Sequence, residues 1–337
     1  MTRKLSLAGT NFTKPNLLTE AASVEPPASA TLSSVFSTGV GQLPSALVAS
    51  PDGQFLYLSN GSGISRYTIA TNTNTAVTPL SPAISGYMAI SPDGRFIYAA
   101  TFTDHRVVAL DTQNNYSMTV IAGSGTQGQA DGVGTAATFT LPDSCCISAD
   151  GAFLYVRSSS RIAQINLATG AVTSLVAATG SNSVNGFTLS KMVTDGEFLY
   201  ATGRRQYFDG TAFQQGGRIY RISLATGECT AISGEGIIPR RDGRLQTARF
   251  GQPRGLAIDP QRRLLICTTL ESTLRAIDLA NEQVITLAGV DGVSATTNGT
   301  GSAARLNTAE DIVRIGSDYY LAERGSLSIR RAVINYS

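Results

Sequence analysis

The dipeptide Asp-Gly recurs between two short apolar runs in "SPDGQFLYLS", "SPDGRFIYAA", "SADGAFLYVR" and "VTDGEFLYAT", with the Asp at 52, 93, 150 and 195. Asp-Gly between β runs is a strong hairpin signal, because a type I′ turn needs φ > 0 at both central residues. Two degenerate copies follow, "DPQRRLLICT" with Gln261 and "IGSDYYLAE" with Gly316 in place of the Asp, so the intervals are 41, 57, 45, 66 and 55 residues. Each copy opens on two antiparallel strands, such as "SCCIS" and "AFLYVR". A third follows, such as "RIAQINL" or "RIYRISL", then a "TG" turn and a fourth such as "AVTSLVA". Four antiparallel strands repeated at roughly this period are the pattern of propeller blades, which bury their faces by stacking radially. The expectation is an all-β chain, a six-bladed β-propeller with four-stranded blades, seven blades being the alternative.

Closure has its own signal. Residues 3–9, "RKLSLAG", match the fourth-strand segment "VITLAG" without three strands before them, whereas "DIVRIG", "DYYLAE" and "LSIRRAVI" at the other end lack a fourth. The N-terminal strand is therefore expected to complete the last blade, residues 3–8 pairing with 327–334 and removing an open edge. The chain then reads as a single domain over 1–337. Residues 10–42 form an extended loop, and the blades fall at about 43–82, 83–123, 139–180, 186–234, 252–289 and 306–337.

A glycine run, "VIAGSGTQGQADG" at 120–132, places Gly123, Gly125 and Gly128 in the spacing of a dinucleotide-binding turn. That reading needs a helix after the run and an acidic residue about 20 positions on. Pro142 and the Asp150-Gly151 turn leave no room for the helix. The segment also recurs: Asp131-Gly132, Asp242-Gly243 and Asn298-Gly299 are each followed six residues on by Ala137, Ala248 or Ala304 and eight on by Phe139, Phe250 or Leu306. A pattern used three times points to architecture. The motif "LAG…G…DG.G.A..F..P" with "DG..LYV…RI…G.V..L" resembles NHL-repeat propellers, and the first two units, "SPDG.FLY…VVALDT", are closer to the related YVTN repeat. The resemblance implies the propeller fold and leaves function open, since such propellers host binding, scaffolding and enzymatic roles.

The chain of 337 residues has 42% apolar and 15% charged residues and a net charge of +2, so it can fill a large core and carries no global signal for a polyanion. It has no apolar run of 18 residues and no h-region after "MTRKLSLAGTNF", so neither membrane insertion nor a signal peptide is expected. The location this favours is intracellular or virion-associated. Cys145, Cys146, Cys229 and Cys267 have no zinc-ligand spacing and read as buried free thiols. Five N-x-S/T sequons, at Asn11, Asn60, Asn115, Asn298 and Asn335, are what so Ser/Thr-rich a chain supplies by chance.

Catalytic constellations are sparse. The single histidine, His105, reads as a turn residue between the second and third strands of its unit and excludes a three-histidine zinc site, which sets aside the zinc-dependent lyases that the resemblance brings with it. Glu310, Asp311 and Glu323 are the carboxylates that a metal-dependent propeller hydrolase could use around its channel. The long segments 123–141, 203–216, 234–253 and 289–305 all fall on the face shared by second-to-third-strand turns and inter-blade connections. Between 203 and 254 nine arginines meet four acids. Arg204, Arg205, Arg240, Arg241, Arg244 and Arg254 with Tyr207 are thus the candidate face for an anionic ligand. The reading is a non-enzymatic binding propeller without a cofactor, recognising a protein, glycan or anionic partner, with RNA included through the family resemblance. A structural subunit of a larger assembly such as a virion is the alternative, and a metal-dependent hydrolase or lyase a further one.

Overall fold

The computed structural model describes residues 25–37, 44–60, 63–79, 84, 86–177, 188–208, 213–234 and 240–337. They form six antiparallel sheets arranged as the blades of a propeller. Blade 1 holds Ala46–Ala49, Phe55–Ser59, Gly63–Thr68 and Thr73–Pro79. Blade 2 holds Ala89–Ile90, Phe96–Thr101, Arg106–Asp111 and Ser117–Ala122. Blade 3 holds Pro142–Ile147, Phe153–Ser158, Arg161–Asn166 and Ala171–Val176. Blade 4 holds Thr188–Thr194, Phe198–Phe208, Phe213–Ser223 and Cys229–Ser233. Blade 5 holds Pro253–Asp259, Leu264–Thr269, Thr273–Asp278 and Gln283–Gly289. Blade 6 holds Ala309–Ile315, Asp318–Glu323, Ser328–Tyr336 and, from the other end of the chain, Pro27–Ser37. The first strand of each blade lines the central channel. Apolar residues on both faces of the middle strands, such as Leu154, Val156, Ile162 and Ala163, fill the layers between blades.

Two expectations need correction. The strand seen closing the last blade is Pro27–Ser37; residues 3–9, expected in that place, lie outside the described residues. It runs antiparallel to Ser328–Tyr336, from Pro27 opposite Tyr336 to Ser37 opposite Ser328. Asp318–Glu323 occupies the other edge of that partner. The inward alternation of Ala30 and Leu32, both buried, fixes this choice, and the supposed loop 10–42 contains a strand. The Asp-Gly turns also differ from type I′. Gly53, Gly94 and Gly151 have positive φ, but the aspartates before them do not. In each, the Asp carboxylate accepts from a serine hydroxyl two residues earlier and an amide two residues later, Ser50 and Gln54 for Asp52, so a local side-chain bond sets the turn.

The three Asp/Asn-Gly segments are fifth strands. Gly132–Val133, Gly243–Arg244 and Gly299–Thr300 pair with the outer strands of blades 3, 5 and 6. Behind them Ala137, Ala248 and Ala304 and then Phe139, Phe250 and Leu306 are buried between blades. The glycine run belongs to this device. Gly123 has φ +99°, and a Cβ there would stand 2.5 Å from the His105 carbonyl oxygen. At Gly289, with φ +90°, a Cβ would stand closer still, 2.2 Å from the Ser272 carbonyl oxygen.

Candidate functional site

Aligning the inner strands by their pairing puts Ala46, Tyr87, Ser144, Lys191, Gly255 and Asp311 at one level of the channel, one per blade. Small residues from blades 1, 3 and 5 alternate with large polar ones from blades 2, 4 and 6. The small ones leave the space that the large ones cross. Gly255 is required there, since a Cβ would come within 2.6 Å of the Asp311 backbone.

Lys191 spans the channel from blade 4. Its Nζ lies 2.9 Å from Asp311 Oδ2 on blade 6, donates to the Leu47 carbonyl of blade 1 at 3.3 Å, and sits 5.1 Å from the centre of the Tyr87 ring. Asp311 also accepts from the amides of Leu47 and Ile312, both at 2.8 Å. Burial pushes the Asp311 carboxyl up, while Lys191 and the Leu47 amide hold it down. Below this pair, towards the Asp-Gly turns, is an apolar well of ≈ 270 Å³ whose lining includes Val48, Ala89, Cys146, Val193, Ala257 and Val313. Burial pushes the Cys146 thiol up to about 12, so it stays protonated at neutral pH.

Above the pair the channel opens on the long-loop face. One residue nearer this mouth stand Asp143 of blade 3, Arg254 of blade 5 and Glu310 of blade 6, with Arg157 and Arg324 beside them. Arg157 Nε donates to Asp143 at 2.6 Å. Glu310 lies between Arg254 at 3.7 Å and Arg324 at 3.8 Å. The Tyr87 hydroxyl donates to the Glu310 carbonyl at 3.3 Å, and burial, with the charges of Asp311 and Glu310, pushes the phenol well above its usual range. Ser144 Oγ is buried without a hydrogen-bond partner. The mouth therefore presents donors and acceptors of both charge signs above an ion pair that closes it from below.

Cations answer the three carboxylates considered as metal ligands: Asp311 by Lys191, Glu310 by two arginines, and Glu323 by Arg330 at 3.1 Å. Among the described residues no three His, Cys, Asp or Glu side chains group as a metal site. His105 is a left-handed turn residue whose Nδ1 accepts from the Leu141 amide at 3.2 Å. Of the candidate anion-binding residues, Arg254 is at the channel mouth. Arg240 is paired with Asp291 and with Glu271 at 3.4 Å. Arg241 and Arg244 are exposed at the rim of blade 5, beside a groove of ≈ 260 Å³ that Arg240 and Arg241 help to line. Arg204, Arg205 and Tyr207 lie on the long blade 4 hairpin, and their side chains are outside the described residues. Sequence reasoning missed Tyr87, Asp143 and Lys191. Their signal was a large polar residue where the neighbouring blades have a small one.

No family model matches the chain, and no curated protein does. Solved structures do. A structural genomics protein of unknown function from Bacteroides thetaiotaomicron superposes with a TM-score of 0.70 at 18% identity, over 91% of this chain and 76% of that one. An auxiliary nutrient binding protein from the same organism gives 0.69 at 14% identity, over 90% and 76%. Virginiamycin B lyase from Staphylococcus aureus gives 0.56 at 13% identity, over 91% and 100%. At these identities the likeness concerns the fold, and with the six blades described above it makes the chain a six-bladed β-propeller.

Proposed function

We propose that the chain is a non-enzymatic binding propeller of the NHL/YVTN type whose site is the mouth of the central channel on the long-loop face. Asp143, Arg254 and Glu310 above the level of Tyr87 and the Lys191–Asp311 pair carry this reading. Carboxylates already bound to arginine or lysine suit hydrogen bonding to a polar partner better than metal or proton chemistry. Donors and acceptors alternating around a half-open ring match a glycan, whose hydroxyls do both. The exposed Arg241 and Arg244, at the outer edge of blade 5, add a longer-range attraction for an anionic ligand. Among the propellers of similar shape, the auxiliary nutrient binding protein is in keeping with a binding role.

The test is titration of the protein with sialylated oligosaccharides, heparin fragments and RNA at two salt concentrations. For the glycan, Arg254→Ala is expected to weaken binding by about tenfold or more, the effect of losing a charged hydrogen bond. Arg241→Ala with Arg244→Ala should mainly reduce the salt dependence. Glycan affinity unchanged in Arg254→Ala would remove the channel mouth as the site.

A further inference from the structure

The repeat provides an internal control for one cavity outside the channel. A cleft of ≈ 320 Å³ lies between blades 2 and 3, with Phe96, Tyr98, Ala109, Ile121, Leu167 and Gly170 in its lining. Phe96 follows an Asp-Gly turn and Gly170 lies in the turn between third and fourth strands, so the cleft opens on the short-turn face.

Phe96 and Tyr98 are one copy of an aromatic pair that recurs as Phe55 and Tyr57, Phe153 and Tyr155, and Phe198 and Tyr200. In the other copies a long side chain stands opposite the tyrosine. Tyr57 pairs with Arg66, whose guanidinium lies 4.9 Å from the Phe55 ring centre. Tyr200 pairs with Arg221, 4.7 Å from the Phe198 ring centre, and Tyr155 pairs with Gln164. Tyr98 pairs with Ala109.

The next blade repeats the difference. Tyr116, in the last turn of blade 2, packs edge-on against Tyr57 of blade 1, with ring centres 6.2 Å apart and planes at 68°. Tyr116 stands two residues before Met118, which pairs with Leu110. Gly170 stands two before Val172, which pairs with the corresponding Ile165 of blade 3. Both have a left-handed backbone, φ 55° and 71°. Where the blade 1–2 interface has an arginine and a tyrosine, the blade 2–3 interface has Ala109 and Gly170. Arg95, held by Asp111 at 3.0 Å, lies 4.9 Å from the Phe96 ring centre, so Phe96 has a cover of its own. At the rim, Asn166 Oδ1 accepts from the amides of Ala168 and Thr169, which leaves Nδ2 as the donor.

We propose that this cleft binds a small neutral one-ring aromatic compound, a phenol or close analogue, whose ring sits against Tyr98 as Tyr116 sits against Tyr57. Its oxygen accepts from Asn166. The largely apolar lining disfavours a charged ligand, and edge-on packing between rings favours an aromatic over an aliphatic one. The site is remote from the channel mouth and does not depend on the reading given for it.

The probe is 4-methylphenol titrated into the isotopically labelled protein and followed by amide chemical shifts. Saturable shifts confined to Ala109, Leu167, Gly170 and their neighbours are expected. Ala109→Arg restores the residue of blades 1 and 4, and Gly170→Tyr restores the plug of blade 2. Each should weaken binding by about tenfold or more, on the scale of losing an aromatic contact and its burial. If Ala109→Arg does not fold, Gly170→Tyr in its surface turn decides alone. No saturable shift in the wild-type protein, undiminished affinity in the folded variants, or equal affinity for cyclohexanol would each overturn the proposal.

Discussion

Blades 3, 5 and 6 differ from blades 1, 2 and 4 at their outer edges. The first group has a fifth strand, and an arginine from the third strand clamps it. Arg161 reaches Asp131 at 2.5 Å, Arg275 reaches Asp242 at 2.7 Å, and Arg330 reaches Asn298 at 3.1 Å. All three arginines are buried. The same Asp or Asn accepts from a second strand of the sheet, through Ser174, Thr286 or Ser34. Among the described residues, blades 1, 2 and 4 have four strands and no such cover. Long inter-blade segments are therefore largely edge protection here, and loop length by itself does not locate the ligand.

The strongest way to break this contrast is at blade 6. Arg330 and Glu323 are both 0% exposed, and Arg330 also donates to the carbonyls of Arg305 and Thr297. Arg330→Ala leaves Glu323 buried without its partner and should cost about 3–5 kcal/mol in urea unfolding. Asp131→Ala leaves the Arg161 guanidinium without its carboxylate. Because that carboxylate is half exposed, the expected loss is smaller, about 1–3 kcal/mol. Asp242→Asn sharpens the comparison. Asn298 already performs this role in blade 6, so the change should cost less than about 1 kcal/mol, and a larger loss would mean that the Arg275 clamp depends on charge.

The smallest effect should come from the Asp-Gly turns, which do not involve the edge. The serine hydroxyl and then the backbone amide hold the carboxyls of Asp52, Asp93 and Asp150 below their ordinary value of 3.8. A carboxyl depressed by folding adds stability above its unfolded pKa and loses it as the pH falls through the folded one. The combined variant Ser50→Ala, Ser91→Ala, Ser148→Ala should therefore be less stable than the parent at pH 7. That difference should shrink below pH about 4. A difference independent of pH would show that the serines act without the carboxylates.

The six blades were legible because Asp-Gly followed by an aromatic and an apolar run marks the first hairpin of four units, and degenerate copies mark it in the other two. The closing strand was not. "RKLSLAG" shares an apolar ending with outer strands, whereas "PASATLSSVFS" buries little beyond Pro27, Ala30 and Leu32 and has two register shifts in its pairing, so its period-2 signal is weak. The arginine excess at 203–254 is smaller in space than in sequence. Arg240 and Arg254 find their carboxylates in Glu271, Asp291 and Glu310, all beyond that window of sequence. The channel level of Tyr87, Lys191 and Asp311 emerges only when the six inner strands are laid side by side, since no two of these residues are near in the chain.

The pairing of Pro27–Ser37 with Ser328–Tyr336 has a consequence for how the molecule reaches its native state. Five blades are each made from one continuous stretch of chain and can form from local contacts. The sixth needs partners about 300 residues apart, from Pro27 opposite Tyr336 to Ser37 opposite Ser328. During synthesis Ala30 and Leu32 must wait until the last strand has emerged, and the ring has a gap until then. The slow, late event in folding is thus the meeting of the two ends, and a protein caught before it would expose the flank of blade 1 to the flank of any neighbouring copy.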